Sequence, residues 1–116
     1  MCKGNILIVE DDNDINALLY DMVTDDGYKA KSAYSGTEAL IYLENDKYDL
    51  VLLDLMLPGK SGDELLSIIR EKSNMPIIII SAKEEKGLKA KILRAGADDF
   101  ISKPFDIDEV LARIEV

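Results

Sequence analysis

The sequence predicts an α/β protein in which a buried parallel sheet lies between two layers of helices. It contains short, continuous apolar runs rich in β-branched residues, which are typical of strands buried on both faces. These runs alternate with segments of helical periodicity, about five times along the chain. Glu10, Asp54, Ser81 and Lys103 each stand at or just after the end of such a run. Because parallel strands point the same way, these side chains are predicted to meet at one edge of the sheet.

Length and composition indicate a single domain spanning residues 1–116. A chain of 116 residues suits one core, and 47% hydrophobic with 32% charged residues is ordinary for a soluble globular protein. No apolar run approaches the ~20 residues that cross a bilayer, and the N-terminus lacks the apolar segment of a signal peptide. Cys2 is the only cysteine, which excludes an intramolecular disulfide and fits a cytoplasmic protein without membrane contacts.

The charge of the chain narrows the functions it can have. The formal net charge is −9, and a surface this acidic repels the phosphates of nucleic acids. The chain has no histidine, which removes histidine zinc sites and histidine general bases. We therefore expect no DNA binding by these residues, and we expect a cation to offset part of the acidic charge at the sheet edge.

The first part of the chain predicts two strands, each followed by a helix. Residues 5–9 form the first predicted strand and residues 28–33 a weaker second one. The helix between them ends at the stop signal Gly27. Its apolar residues at helical spacing are Ile15, Leu18, Leu19 and Met22. Ser35 and Glu38 form a possible capping box for the second helix.

The later elements repeat this alternation. Ser61 and Glu64 form a second possible capping box, and Gly96 closes the fourth helix. Asp106 and Glu109 could cap the last one. The remaining predicted strands cover residues 50–53, 76–80 and 100–102. Alternating units of this kind imply right-handed crossovers and a three-layer α/β/α sandwich.

The strand order decides which polar residues become neighbours. A flavodoxin-like, doubly wound order of 2-1-3-4-5 places strands one and three side by side. That order brings Glu10 and Asp11 next to Asp54, with Ser81 and Lys103 on the following strands. Acids on neighbouring strands with a lysine and a hydroxyl close by indicate a site for a divalent cation and a phosphoryl group.

Each of these side chains also has an ordinary structural interpretation. Asp12 could cap the first helix, and Asp54 or Ser81 could cap the turn that follows its strand. Lys103 could be a solvated surface lysine. Phe100 stands in a predicted strand, where an aromatic side chain usually belongs to the core.

Five motifs succeed one another along nearly the whole chain. They are Val-Glu-Asp-Asp at 9–12, Asp-Leu-Met-Leu-Pro-Gly at 54–59, Pro-Ile-Ile-Ile-Ile-Ser-Ala-Lys at 76–83, Gly-Ala-Asp-Asp-Phe at 96–100 and Lys-Pro-Phe at 103–105. In order and spacing they resemble the receiver domain of bacterial two-component response regulators. Segments 56–59, 62–66 and 112–114 are most similar to the subfamily whose receivers precede a winged-helix DNA-binding domain.

The resemblance implies a phosphoacceptor with a metal beside it. Asp54 would take a phosphoryl group from the histidine of a partner sensor kinase. Asp11 and Asp54 would ligate Mg²⁺ directly, and Glu10 would act mostly through a metal-bound water. Met56 would supply its backbone carbonyl to the metal. The only chemistry of such a domain is its own phosphorylation and dephosphorylation, so it is not expected to be an enzyme acting on other substrates.

The resemblance also implies residues that read the phosphate. Ser81 would hydrogen-bond the transferred group, and Lys103 would pair with another of its oxygens. Phe100 stands where the family carries its switch aromatic. The side chains of Met56 and Lys83 would flank the phosphate and influence its lifetime. A cis bond between Lys103 and the following proline is expected from the family.

In the DNA-binding subfamily, phosphorylated receivers dimerise through their fourth and fifth helices. The residues that match this homodimer surface are Lys89, Ala90, Leu93, Asp99, Glu109, Leu111 and Arg113. Lys89 with Glu109 and Asp99 with Arg113 would pair across the two-fold axis. The apolar centre would be formed by Ala90, Leu93 and Leu111. DNA would be bound only through a C-terminal domain that is absent from this chain.

Three other functions share parts of the pattern. A haloacid-dehalogenase-like phosphatase needs a second aspartate two residues after its nucleophile, where this chain has Met56. A flavodoxin-like cofactor binder needs a polar phosphate loop after its first strand, where this chain has acids. A stand-alone receiver that acts through protein contacts or phosphorelay shares every site residue and differs only in the sequence beyond residue 116.

Overall fold

The computed structural model of the chain describes residues 3–58, 61–82 and 85–115. The strands are β1 (Asn5–Val9), β2 (Lys29–Ala33), β3 (Leu50–Leu53), β4 (Ile77–Ser81) and β5 (Asp99–Ser102). The helices are α1 (Asn13–Asp25), α2 (Gly36–Asn45), α3 (Gly62–Lys72), α4 (Leu88–Arg94) and α5 (Ile107–Glu115). All pairings are parallel and the order is β2-β1-β3-β4-β5, which confirms the predicted flavodoxin-like fold.

The two faces of the sheet carry separate apolar clusters. One face packs against α2, α3 and α4 through side chains that include Leu53 and Ile92. The other face packs against α1 and α5 through Ile8, Leu19 and Val110. The inner strands are buried on both faces, so their sequences are unbroken apolar runs instead of alternating ones. None of the helices in the described part of the chain has the length and apolarity of a membrane span.

The buried face of α1 differs from the predicted apolar stripe. Leu19 and Met22 are buried as expected, but Leu18 is 43% exposed. Val23 takes part in the inward face, and so does a polar residue, Asn16, which is 0% exposed. The helix has more apolar residues than its inward face accommodates, and Leu18 instead lines a groove between α1 and α5.

The predicted capping signals start α2 and α3. The hydroxyl of Ser35 accepts a hydrogen bond from the N–H of Glu38 at 3.1 Å, and that of Ser61 accepts one from the N–H of Glu64 at 3.3 Å. The Glu38 carboxylate accepts from the N–H of Tyr34 at 2.7 Å, one residue before the cap. Both pairs therefore satisfy N–H groups at a helix start, as a capping box does.

The register of the sheet sets the level of the acidic residues. Val9 of β1 pairs with Leu53 of β3, so Glu10 and Asp54 leave adjacent strands at the same height. The last residues of β4 and β5 also pair with each other. Lys103 follows β5 directly, so it emerges at the same edge.

The opposite edge of the sheet is tied together by Arg70 of α3. Its guanidinium donates to the carbonyl of Gly96 at 2.7 Å, to the carbonyl of Met75 at 2.6 Å and to the carboxylate of Asp98 at 2.8 Å. Asp98 in turn accepts the N–H of Ile77, the first residue of β4, at 2.8 Å. We call this set the Arg70 cluster; it joins α3, the start of β4 and the turn between α4 and β5.

Candidate functional site

Three acidic residues meet at the C-terminal edge of the sheet, as predicted. Carboxylate oxygens of Glu10, Asp11 and Asp54 all lie within 4.8 Å of one another. Glu10 and Asp54 are only 2% and 5% exposed, whereas Asp11 is exposed. The site is therefore a buried acidic floor with one carboxylate open to solvent. We call these three residues and Lys103 the acidic cluster.

Lys103 is the cation of this cluster. Its ammonium group lies 2.5 Å from the carboxylate of Glu10 and 3.1 Å from that of Asp54. The peptide bond between Lys103 and Pro104 is cis, as the family resemblance implied. The interpretation of Lys103 as a solvated surface lysine is wrong, because its side chain is only 13% exposed and contacts both acids.

The remaining carboxylate oxygens are held by backbone N–H groups. The second oxygen of Glu10 accepts from Asp12 at 3.1 Å, and the second oxygen of Asp54 accepts from Met56 at 3.1 Å. Asp12 also caps α1, since its side chain accepts the N–H of Ile15 at 3.0 Å. The structural role predicted for Asp12 thus coexists with the acidic site and fixes the loop that carries it.

Burial makes this cluster electrostatically unbalanced. Desolvation raises the pKa of Glu10 from 4.5 to about 7, although the hydrogen bond from Lys103 opposes the shift. Burial alone would lower the pKa of Lys103, but the hydrogen bonds to Glu10 and Asp54 and their negative charges raise it instead. One ammonium group thus faces three carboxyl groups, and a further cation is the simplest way to stabilise all of them in the charged form.

The donor set fits a hard divalent cation. Carboxylate oxygens are the ligands that Mg²⁺ prefers, and Mg²⁺ usually binds through a few of them while it keeps waters and phosphate in its shell. An open carboxylate at Asp11 beside two buried ones suits such partial coordination. Met56 lies next to the cluster with its side chain 59% exposed.

The predicted phosphate-reading residues lie on β4 and β5. Ser81 ends β4 and is 1% exposed. Phe100 pairs with Ile79 of β4 and is 5% exposed within the apolar cluster that α4 covers. Phe100 therefore occupies a core position in this state, as its structural interpretation predicted. Lys83, which was expected to flank the phosphate, lies outside the described residues.

Most of the predicted dimer residues lie on exposed positions of α4 and α5. Lys89, Ala90 and Leu93 are exposed on α4, and Glu109 and Arg113 are exposed on α5. Asp99 contacts Arg113 of the same chain at 2.8 Å, so the partner expected across a dimer axis is bound within the chain.

Leu111 departs from this arrangement. It is half-buried and lines the groove between α1 and α5 together with Leu18 and Ile107. Its placement in the centre of an α4 and α5 surface is therefore corrected. Each helical residue is rotated by about 100° from the one before it, so Leu111 turns towards α1 while the adjacent Ala112 is exposed.

Two further residues shape the site, and sequence reasoning did not identify them. The N–H of Gly62, at the start of α3, donates to the carbonyl of Leu55 at 3.1 Å. A Cβ on Gly62 would lie 2.4 Å from the carbonyl oxygen of Asp54, so only glycine allows this approach. A glycine in the first turn of a predicted helix was the available signal. The second residue is Asn16, a polar residue on the inward side of an apolar helix.

Comparison with known proteins identifies the family. The model of the response regulator receiver domain matches residues 6–115. The chain is 44% identical over 114 residues to the transcriptional regulatory protein KdpE of Staphylococcus aureus. The aligned region covers 98% of this chain and 49% of KdpE. It is 45% identical over 109 residues to the response regulator ArlR of the same species, and this aligned region covers 94% of this chain and 50% of ArlR. The chain thus spans about half the length of these relatives.

Solved structures agree with the sequence relatives. The receiver domain of the Francisella response regulator 1452 matches with a TM-score of 0.92 at 33% identity, covering 97% of this chain and 94% of that one. A CheY-like response regulator receiver domain protein from Methanospirillum hungatei matches with a TM-score of 0.89 at 31% identity, covering 96% and 90%. By its sequence, its strand order and the likeness of its fold to these structures, the chain belongs to the family of response regulator receiver domains.

Proposed function

We propose that Asp54 accepts a phosphoryl group from the phosphohistidine of a sensor kinase, with Mg²⁺ bound beside it. The supporting observation is the convergence of a buried Asp54 with Glu10, Asp11 and Lys103 at one edge of the sheet. An oxygen of Asp54 forms the new bond to phosphorus while the bond from phosphorus to the histidine nitrogen breaks, and the imidazole takes up a proton. Positioning and charge compensation therefore do most of the catalysis.

Each residue of the acidic cluster has a part in this proposal. Asp11 and Asp54, with the backbone carbonyl of Met56, would hold the metal, and Glu10 would act mostly through a metal-bound water. Bound Mg²⁺ supplies positive charge that offsets the repulsion between the nucleophile and the phosphoryl oxygens. Lys103 pairs its ammonium group with a phosphoryl oxygen as a point charge, since it already lies 3.1 Å from Asp54.

Phosphorylation by acetyl phosphate tests the proposal. Incubation with acetyl phosphate and Mg²⁺ should add the mass of one phosphoryl group, measured on the intact protein. Asp54→Ala should remain unmodified, and so should the wild type in EDTA. Asp21→Ala, which removes an exposed acid of α1 away from the edge, should be modified like the wild type. Modification that persists in Asp54→Ala would show that another residue is the acceptor.

The switch requires Ser81 and Phe100 to respond to the phosphate. Ser81 would turn its hydroxyl towards the phosphoryl group, and Phe100, which is already buried in this state, would change its rotamer to fill the space that Ser81 leaves. Both residues are buried. Ser81 ends β4, and Phe100 lies on the adjacent β5 opposite Ile79 of β4, so in this proposal a movement of Ser81 reaches Phe100 through packing. Crystals with and without beryllofluoride should therefore differ in the Phe100 rotamer, and an identical rotamer would exclude this switch.

The output is proposed to be dimerisation that regulates transcription. KdpE is named as a transcriptional regulatory protein, and this chain corresponds to about half of its length. Dimerisation through α4 and α5 would align two DNA-binding domains with two half-sites. Sedimentation with beryllofluoride and Mg²⁺ should show a dimer where the metal-free protein is monomeric. The reading frame beyond residue 116 distinguishes this output from a stand-alone receiver.

The chemistry is proposed to be confined to the phosphate on Asp54. A phosphatase acting on external esters needs an acid at position 56, and Met56 cannot protonate a leaving group. We expect no turnover of p-nitrophenyl phosphate with Mg²⁺. Sustained turnover that is lost in Asp54→Ala would reassign the protein as an enzyme.

A further inference from the structure

Asn16 makes a hydrogen-bond network behind the acidic cluster that the proposed function does not yet use. It lies in the first turns of α1, faces the sheet and is fully buried. Its side-chain amide donates to the carbonyl of Glu10 at 2.9 Å and to the carbonyl of Ala33 at 3.3 Å. The hydroxyl of Ser32 donates to its amide oxygen at 2.5 Å. Every bond of this network therefore ends at β2 or at the residue that begins the acidic loop.

The network fixes the backbone of Glu10 from two sides. The N–H of Glu10 donates to the carbonyl of Ala33 at 3.0 Å, and its carbonyl accepts from Asn16. The backbone N–H of Asn16 also donates to the carbonyl of Asp12 at 2.9 Å. The side chain of Asn16 thus holds the loop at Glu10, and the first backbone bond of α1 holds it at Asp12, with Asp11 between them. The direction in which that carboxylate points depends on this loop geometry.

A buried amide is costly unless its hydrogen bonds are made. Desolvating such a group costs about 1–3 kcal/mol by mutational data, and hydrogen bonds mostly offset that cost without adding much stability. An apolar residue of similar size would fill the same place on an otherwise apolar helix face. Stability alone therefore gives no strong reason for an asparagine here, whereas fixing the geometry of a loop that carries metal ligands does.

We propose that Asn16 is a positioning residue, which acts through the loop it holds to set the carboxylates of Glu10 and Asp11 for Mg²⁺. This inference rests on the proposed function, since it concerns the same metal site. Residues that orient metal ligands without touching the metal typically change affinity by about 10–100-fold when they are altered. We expect Asn16→Leu to fall in that range. Ser32→Ala removes only the donor that orients the amide, so it should weaken Mg²⁺ binding by less than about 10-fold, but by clearly more than the roughly 2-fold allowed for the stability control.

The test is calorimetric titration of Mg²⁺ into the metal-free protein, with a stability control on the same helix. Leu19→Ala removes a buried apolar side chain of α1 that faces the sheet and, having no polar atom, takes no part in the hydrogen bonds of the loop network. It should lower the melting temperature yet leave the Mg²⁺ affinity within about 2-fold of the wild type. Asn16→Leu should weaken the affinity about 10-fold or more, even when it melts at a higher temperature than Leu19→Ala.

The outcomes separate this inference from the proposed function. If the wild type binds no Mg²⁺, both the proposed function and the positioning role are overturned. If the wild type binds Mg²⁺ and Asn16→Leu binds it equally well, only the positioning role is overturned. If Leu19→Ala loses as much affinity as Asn16→Leu, the effect is one of general stability and the role is again overturned. Should Asn16→Leu fail to fold, Ser32→Ala decides, and unchanged affinity in that variant counts against the proposal.

Discussion

Among the residues that the structure describes, the two edges of the sheet each have one buried or half-buried cation, and the two cations are used differently. Arg70, at the edge where the strands begin, donates to the carbonyls of Gly96 and Met75 and to one carboxylate, Asp98. Lys103, at the edge where the strands end, contacts the carboxylates of Glu10 and Asp54. One cluster balances a single positive charge against a single negative charge, whereas the other has an excess of negative charge.

This difference distinguishes a structural ion pair from a site prepared for a ligand. The Arg70 cluster pairs its charges and directs the remaining N–H groups to backbone carbonyls that need donors. The acidic cluster is buried yet unbalanced, which is why the pKa of Glu10 is raised. An arrangement of that kind reduces the stability of the metal-free protein and gains from a bound cation, so charge balance is a better guide to function than the presence of a salt bridge.

The largest expected effect is the pH dependence that Glu10 gives to the metal-free protein. Its pKa rises from 4.5 to about 7 on folding, so the folded state holds a proton that the unfolded state has lost. The stability from Glu10 is complete below pH 4.5 and is lost as pH rises through about 7. At about 1.4 kcal/mol per unit, the loss is up to about 3 kcal/mol. Glu10→Gln should lack this loss.

Urea unfolding in EDTA at several pH values between about 4.5 and 8 measures this pH-dependent loss of stability. The quantity of interest is the difference in the free energy of unfolding between the wild type and Glu10→Gln, because the other acids titrate in both. Glu44→Gln, which alters an exposed acid of α2 outside the cluster, serves as the matched control and should follow the wild-type curve. Parallel curves for wild type and Glu10→Gln would mean that Glu10 is not destabilised by burial.

The next effect is the loss of the Arg70 cluster. Arg70→Met keeps most of the apolar stem but removes every guanidinium donor. The carbonyls of Gly96 and Met75 lose their bonds to Arg70, and the carboxylate of Asp98 keeps only the N–H of Ile77. Hydrogen bonds to charged groups are worth roughly 1.5–3 kcal/mol, so we expect a loss of about 2 kcal/mol in the free energy of unfolding. Arg94→Met, an exposed arginine on α4, should change it by less than about 0.5 kcal/mol.

Phosphorylation of Asp54 distinguishes Arg70→Met from substitutions in the acidic cluster. Folded Arg70→Met should take phosphate from acetyl phosphate on Asp54 as the wild type does, because no atom of the Arg70 cluster belongs to the acidic cluster. A variant that stays folded but can no longer be phosphorylated would show that the two edges of the sheet are coupled.

The acidic cluster was far easier to predict from the sequence than the Arg70 cluster. Glu10, Asp54 and Lys103 directly follow buried strands, and parallel strands necessarily bring their ends together. Arg70 instead lies at the end of a helix, where a basic residue has an ordinary explanation in the helix dipole. Its partners are mostly backbone carbonyls, which have no signature in a sequence.

Details of packing were the other part that the sequence could not supply. The apolar spacing of α1 offered more residues than one face could bury, and only the angle at which the helix lies on the sheet decides that Leu18 is exposed and Asn16 buried. The same limit applies to Leu111. The apolar pattern of α5 could not decide whether this side chain faces α1 or the surface formed with α4, and the structure places it towards α1. Strand ends were predicted to within one residue, and for the inner strands β3 and β4 this is because continuous burial fixed them.

A smaller effect is expected from Mg²⁺ itself. A ligand that binds only the folded state stabilises it by about 1.4 kcal/mol at ten times its dissociation constant. Addition of Mg²⁺ should therefore raise the melting temperature of the wild type and of Arg70→Met by similar amounts, and less at acidic pH, where Glu10 is protonated. Asp11→Asn should lose most of the rise, whereas Asp21→Asn should retain it. Equal rises in all four proteins would place the bound ion outside the acidic cluster.

The smallest effect on stability is expected at Arg113, which differs from both clusters because its ion pairs are solvent-exposed. It lies 2.8 Å from Asp99 and 3.7 Å from Glu109 of the same chain, with its side chain 40% exposed. Exposed pairs contribute little, so Arg113→Ala should leave the melting temperature unchanged.

An ion pair this weak can exchange its partner at low cost, and Asp99 is the partner expected across the dimer axis. Arg113→Ala should therefore weaken the dimer that beryllofluoride and Mg²⁺ induce, measured by sedimentation velocity, whereas Lys47→Ala on the opposite side of the sheet should not. Dimerisation of Arg113→Ala at the wild-type concentration would place the contact surface elsewhere on the receiver.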